Sequence, residues 1–135
     1  MLWLADTSVA IAVVSGSHEA HRAVNDWVGT RALRLATHAA LETYSVLTRL
    51  PGDARLAPSD AARLMRDRFG ASIPFPTAEA ENFVDELGRI AVAGGAAYDA
   101  LIAATCRAVR GTLVTRDRRA VATYEALGVR YELVT

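Results

Sequence analysis

The sequence predicts an α/β fold in which a parallel sheet is covered by helices on both faces. Three observations carry that prediction. Short apolar runs of strand length alternate along the chain with longer stretches of helical spacing, the pattern of strand–helix–strand units. Apolar residues make up 52% of the chain, enough for a real core. At 135 residues the chain has the size of one domain, which buries roughly two thirds of the surface its unfolded form exposes.

The first strand is "LWLA" (2–5), short and apolar, and it ends at "DTS", whose side chains can cap the helix that follows. "SVAIAVV" is apolar nearly all round, so that helix is expected to be heavily buried. "HEAHRAVNDWV" (18–28) reads as a second helix, with Ala20, Ala23, Val24 and Trp27 on one stripe. "ALRLA" (32–36) fits the second strand, and "THAALETYSVLTRL" (37–50) a long helix with Leu41 aligned near Tyr44 and Leu47. "PGDARLAP" (51–58) is a turn-rich loop, and "SDAARLMRDRF" (59–69) returns to helix from a Ser/Asp start. "SIPF" (72–75) reads as a third short strand, followed by a helix from Thr77 to Val92. "GGAA" (94–97) breaks the pattern ahead of the apolar helix "YDALIAATCRAV" (98–109). "TLVT" (112–115) is a strand and "RRAVATYEAL" (118–127) a helix. "GVRYELV" (128–134) puts Val129, Tyr131 and Leu133 on one face, as a final edge strand does.

Composition narrows the chemistry. Fifteen basic and fifteen acidic residues balance, so no global field selects a nucleic acid or a membrane, and a polyanion would need local clusters. Every basic residue is arginine, which excludes mechanisms that need a catalytic lysine. Cys106 stands alone, so no internal disulfide forms and a reducing compartment is expected. The start, "MLWLADTSVAIAVV", lacks a basic lead and carries Asp6, a poor signal peptide. No apolar run approaches the ~20 residues of a membrane span, and a cytoplasmic protein is the expectation.

The acidic residues fall in a telling pattern. In sheets of this class, ligands bind beyond the carboxyl ends of the strands, near the point where strand order reverses. Asp6 directly follows "LWLA", and Asp117 stands two residues after "TLVT". Asp99 opens a helix after a Gly-Gly break, and Glu42 sits about one turn inside the helix after the second strand. With right-handed winding throughout, all four converge on one rim. Taken singly, each Asp also reads as a helix cap, and Glu42 as a solvated flank or an ion-pair partner of Arg49. Three Asp-led helix starts plus an acid within an apolar helix exceed what capping requires. Four carboxylates in one pocket repel one another unless a cation holds them. Hard oxygen ligands suit Mg²⁺, or Mn²⁺, which lean on a few carboxylates and on substrate phosphate oxygens. That is the donor set of a phosphodiester-cleaving site.

Other chemistries fit less well. His18 and His21 lack the HExxH spacing of a zinc helix and read as surface residues. His38 reads as a helix start and Cys106 as core. No GxGxxG follows a strand, and no GxxxxGK exists in a chain without lysine. A phospho-receiver domain also needs a lysine. A haloacid-dehalogenase-type phosphatase needs an Asp where Ser8 stands.

"LADTSVAIA", "ALETYSVLTRLP", "GGAAYDALIAAT" and "TLVTRDRRAVATYEALGVRYELV" resemble, in order and spacing, the signature blocks of the PIN-domain ribonucleases, and among them the VapC-type toxins of toxin–antitoxin pairs. The resemblance spans essentially the whole chain as a single PIN domain, residues 1–135. It implies a three-layer α/β/α sandwich around a five-stranded parallel sheet of order 3-2-1-4-5. It also implies a Mg²⁺-dependent endoribonuclease that cleaves RNA phosphodiester bonds with metal-activated water. Asp6, Glu42, Asp99 and Asp117 match the family's acidic quartet, with Asp6 and Asp99 at the positions that touch metal. Thr7, Ser8 and Thr115 stand beside these carboxylates as hydroxyls able to orient them, or as simple caps and strand ends. Arg116, then Arg118 and Arg119, are candidate RNA phosphate contacts, since an acidic pocket needs a local positive rim.

The resemblance further implies a cognate VapB-type antitoxin whose C-terminal segment blocks the acidic site, and a toxin homodimer. Two alternatives remain at this point: a housekeeping PIN nuclease in RNA processing, and a catalytically silent RNA- or protein-binding module.

Overall fold

A computed structural model describes residues 1–135. Four parallel strands, β1 (Trp3–Ala5), β2 (Leu33–Arg34), β3 (Thr112–Thr115) and β4 (Arg130–Leu133), lie in the order β2-β1-β3-β4. β1 is central, with Trp3 opposite Leu33 on one side and Thr112 on the other. Chain order reverses between β1 and β3, so their carboxyl ends flank the switch point at which such sheets bind ligands.

The expected five-stranded sheet is thus corrected to four strands. Segment 72–75 does run beside β2, at the edge expected for a third strand, but makes only one parallel bridge, between Ile73 and Ala36. Ile73 N–H donates to the Leu35 carbonyl (2.8 Å), and its carbonyl accepts from Thr37 N–H (2.9 Å). Pro74 and Pro76 have no N–H to extend the ladder, which stops there.

Eight helices accompany the sheet: α1 (Thr7–Val14), α2 (His21–Val28), α3 (Thr37–Leu47), α4 (Pro58–Phe69), α5 (Thr77–Ala80), α6 (Phe83–Arg89), α7 (Ala96–Ala108) and α8 (Val121–Leu127). Alternate strand residues point to opposite faces, and the core divides accordingly. Ala5 and Val114 join the apolar cluster built with α1, α2 and α4, whereas Leu4 and Leu113 join the one built with α6, α7 and α8. α3 contributes to both, through Leu47 and Ala39. Gly111 is required where the chain enters β3. A Cβ there would stand 3.0 Å from Leu4 Cδ1 and 3.1 Å from Cys106 Sγ. Cys106 is buried, as expected of a core thiol.

Several boundaries move for local reasons. The helix expected from residue 18 begins at His21, because His18 N–H closes a turn onto the Ser15 carbonyl. The helix expected over 77–92 divides into α5 and α6, which lets Glu79 and Glu86 both reach Arg107 on α7 (3.4 and 2.9 Å). Leu41 does not align with the inward stripe of α3. That stripe is Ala39, Thr43 and Leu47, spaced by four, and Leu41 lies two residues off it with 65% of its surface exposed. No helix is long and apolar enough to cross a membrane.

Candidate active site

Asp6 leaves β1 and serves as N-cap of α1, its backbone extended and its N–H still in the ladder to the Val114 carbonyl (2.9 Å). Both carboxylate oxygens are engaged by the chain. Oδ1 accepts from Ser8 Oγ–H (2.5 Å) and Val9 N–H (3.2 Å), and Oδ2 accepts from the Tyr124 hydroxyl (2.7 Å). Only 3% of Asp6 is exposed. Burial pushes its carboxyl above the ordinary carboxylate range, against the pull of hydrogen bonds from Ser8, Thr115, Tyr124 and Val9. Ser8 Oγ in turn accepts from Arg116 N–H (2.9 Å), which ties the start of α1 to the loop after β3.

Asp117 stands at that loop. Its Oδ1 accepts from Arg119 N–H (2.9 Å), capping a 3-10 turn over Arg118–Ala120, and its own N–H donates to Thr115 Oγ1 (3.0 Å). Capping is therefore part of its work, as the sequence suggested. Glu42 projects from α3, where Oε1 accepts from Thr7 Oγ1–H (2.8 Å) and Oε2 lies 3.6 Å from His38 Nε2. It does not pair with Arg49, whose guanidinium donates to Ser45 Oγ instead (3.2 Å). Asp99 is not the first residue of its helix. Gly94, at φ 62°, begins a turn closed by Ala97 N–H onto its carbonyl, so α7 starts at Ala96 and Asp99 falls within its first turn.

The four carboxylates share one rim. The Asp99 carboxyl is pushed up to about 6, first by burial and then by the charges of Asp117, Asp6 and Glu42, with His38 opposing. Thr7, Ser8 and Thr115 each contact one of these groups or its backbone. Arg116 is half-buried beside them, and its Nε–H is buried without an acceptor; Arg118 and Arg119 are exposed. A cleft of about 330 Å³ lined by Thr7, Leu41, Glu42, Ser45, Val46 and Arg49 opens beside Glu42. A second cleft, lined by Val13, Val14 and Leu64 with Asp67 and Arg68, lies at the far end of α1 from Asp6.

No three carboxylate, imidazole or thiol side chains stand close enough to grip a metal ion directly. The donors are carboxylates and hydroxyls, with one imidazole behind Glu42, and Asp99 is raised by burial and by the three neighbouring charges. Such a set fits a hard divalent cation that would bind through one or two carboxylates and keep waters at its other positions.

Three contributors escaped the sequence reading. Tyr124 is there only one residue of the helix expected over 118–127, yet its buried hydroxyl reaches Asp6, 118 residues away in sequence. His38 does stand at a helix start, as the second residue of α3, but it is also beside Glu42, with its Nε2 buried and without a hydrogen-bond partner. Tyr98 stacks on the His38 ring, centroids 5.4 Å apart and planes 9° from parallel. Burying Tyr124's hydroxyl demands a partner, which was the only available signal, and it cannot say which partner. His18 and His21 are half-buried rather than surface residues, and both hold backbone: His18 Nδ1 accepts from Ala20 N–H (3.0 Å), and His21 Nδ1 meets the Ala12 carbonyl (2.9 Å).

Comparison with known proteins places these features in a lineage. The PIN domain family model matches residues 4–126. Ribonuclease VapC27 of Mycobacterium tuberculosis (strain ATCC 25618 / H37Rv) is 49% identical over 124 residues, covering 92% of this chain and 90% of that protein. Ribonuclease VapC40 of Mycobacterium tuberculosis (strain CDC 1551 / Oshkosh) is 43% identical over 131 residues, 96% of this chain and 97% of that protein. Among solved structures, VapBC2 from Rickettsia felis, bound to a DNA fragment from their promoter, aligns with TM-score 0.68 at 14% identity over 98% of both chains. FitAcB from Neisseria gonorrhoeae aligns with TM-score 0.71 at 19% identity over 96% of both. At such identities these two structures speak to the fold.

Proposed function

This chain belongs to the PIN-domain family, and from that membership we propose that it is a Mg²⁺-dependent endoribonuclease of the VapC type, the toxin of a toxin–antitoxin pair. One observation carries the proposal. Four carboxylates from four separate segments share the rim at the carboxyl ends of β1 and β3, close enough that three of them raise the fourth.

In this reading Asp6 and Asp99 would hold the cation, while Glu42 and Asp117 would complete the rim. A divalent cation bound there lowers the pKa of a water and neutralises charge on the phosphate being cut. The chain's own part is orientation. Ser8, the Val9 N–H and Tyr124 fix the Asp6 carboxylate, and Thr7 fixes Glu42. Thr115 holds the backbone of Asp117. Arg116, with its unanswered Nε–H, offers charge to a phosphate that the acidic rim alone would repel, and Arg118 and Arg119 extend that positive edge. Attack by water rather than by the ribose 2′-hydroxyl, with the 3′-oxygen as leaving group, would leave a 5′-phosphate and a 3′-hydroxyl. A VapB-type antitoxin and a second copy of the chain are the proposed protein partners. The VapC-named relatives and the VapBC2 neighbour support that assignment.

The test compares wild type with Asp6→Asn on total RNA, with Mg²⁺ and with chelator, mapping the ends produced. Discrete cuts bearing 5′-phosphates, lost with chelator and in the variant, are expected. Cleavage that survives both would overturn the carboxylate site.

A further inference from the structure

Tyr98 departs from the way this chain treats its other aromatic side chains. Its side chain is 58% exposed, and it is the one aromatic among the large apolar residues left in solvent. The ring is nonetheless held. It lies nearly parallel to His38, with centroids 5.4 Å apart. His38 belongs to α3 and approaches Glu42 to 3.6 Å, while Tyr98 directly precedes Asp99 on α7. The stack therefore joins α3, where His38 adjoins Glu42, to α7 one residue before Asp99, and leaves more than half of Tyr98 in solvent.

We propose that Tyr98, braced by His38, is a stacking platform for a nucleobase of the RNA strand next to the phosphate that is cut. The inference rests on the ribonuclease reading above. Its physical basis is the charge of the rim. Phosphates are repelled by Asp99 and Glu42 and are drawn to the arginine side, by Arg116, but a nucleobase is neutral and presents a π-face whatever its identity. A strand crossing the rim thus has a cationic anchor for its backbone near Asp117 and an aromatic anchor for a base near Asp99. Bracing by His38 orients the ring before the strand arrives, so little rotamer entropy is lost on binding. A protein partner is the other occupant to consider. Only Leu41, 65% exposed on the next turn of α3 from His38, adds large apolar surface on this side. Two residues make a small patch for protein docking, and a stacked base needs no more than one ring.

The experiment measures anisotropy of two fluorescein-labelled chains in chelator, a dodecamer of adenylate and an abasic ribose-phosphate chain of equal length. Because Tyr98 is largely exposed, Tyr98→Ala leaves the core intact. The alanine variant is expected to bind the adenylate chain about 5- to 150-fold more weakly, and Tyr98→Trp to restore that affinity. Binding of the abasic chain is expected to be unchanged in both. Equal affinity of wild type and Tyr98→Ala for adenylate, while wild type still cuts RNA in Mg²⁺, overturns the platform alone and assigns the ring to a protein-facing surface. Equal loss on the abasic chain also overturns it. A wild type that binds neither chain and cuts nothing overturns the nuclease reading and the platform together.

Discussion

Replacing Asp99 by asparagine removes one charge from the carboxylate rim while keeping its shape, and its effect on folding can be worked out from the site. The Asp99 carboxyl titrates near 6 in the folded protein against an ordinary 3.8. Burial and the neighbouring charges therefore make the native state hold this proton more tightly than the unfolded chain does. The stabilising contribution is full below about pH 3.8, is lost as pH rises towards about 6, and stays lost above. At about 1.36 kcal/mol per pH unit the ceiling is about 3 kcal/mol. Asp99 is only partly buried, and solvent screening reduces that to about 1 kcal/mol. Asparagine never ionises and escapes the loss. Without divalent cations, Asp99→Asn is expected to unfold roughly 3–5 °C above wild type at pH 7.5, with the gap closing as pH falls to 4. Thermal unfolding followed by circular dichroism across that range, in chelator, is the assay. Adding millimolar Mg²⁺ is expected to shrink or reverse the gap, because the wild-type rim gains more from the cation. A gap that is the same at pH 4 and pH 7.5, or a variant less stable at both, would refute the electrostatic account.

Other perturbations bear on the same framework. Tyr124→Phe keeps the buried ring and removes the donor to Asp6 Oδ2 (2.7 Å); Mn²⁺ affinity, read by electron paramagnetic resonance, is expected to fall about 10- to 100-fold, and an unchanged affinity would remove Tyr124 from the site. Thr7→Val strips Glu42 of its hydroxyl donor (2.8 Å); cleavage is expected to drop by a similar factor, whereas full activity would mean that Glu42 needs no positioning. Gly111→Ala forces a methyl to 3.0 Å from Leu4 Cδ1; denaturant unfolding is expected to show about 1–3 kcal/mol of destabilisation, and an unmoved midpoint would show that the core yields there.

The sequence by itself determined the features whose causes lie within a few residues. Apolar "LWLA" followed by "DTS" makes a strand and then a capped helix, and the structure places β1 and α1 there with Asp6 as cap. "TLVT" and the alternation of "GVRYELV" give β3 and β4 for the same local reason. The alternation of strands and helices further dictates a parallel sheet, and with it the rim onto which acids at strand ends must fall. That the four acids converge on one rim was therefore legible from spacing, and their charges do bear on Asp99 there.

Tertiary structure decided what depends on residues distant in the chain. Tyr124 meets Asp6 only because α8 packs against the same sheet face as α7, and no local pattern encodes that distance. The stack of His38 and Tyr98 joins α3 to α7 in the same way. The edge segment at Ile73 was legible as a strand but not as a single bridge, since its prolines matter only once the pairing partner is known. Helical spacing aligns Leu41 near Tyr44 and Leu47, but packing chooses which stripe is buried, and Leu41 is left in solvent. Even the raised Asp99 belongs to this second class. A carboxyl has an ordinary affinity for its proton until folding brings burial and three other charges to bear on it.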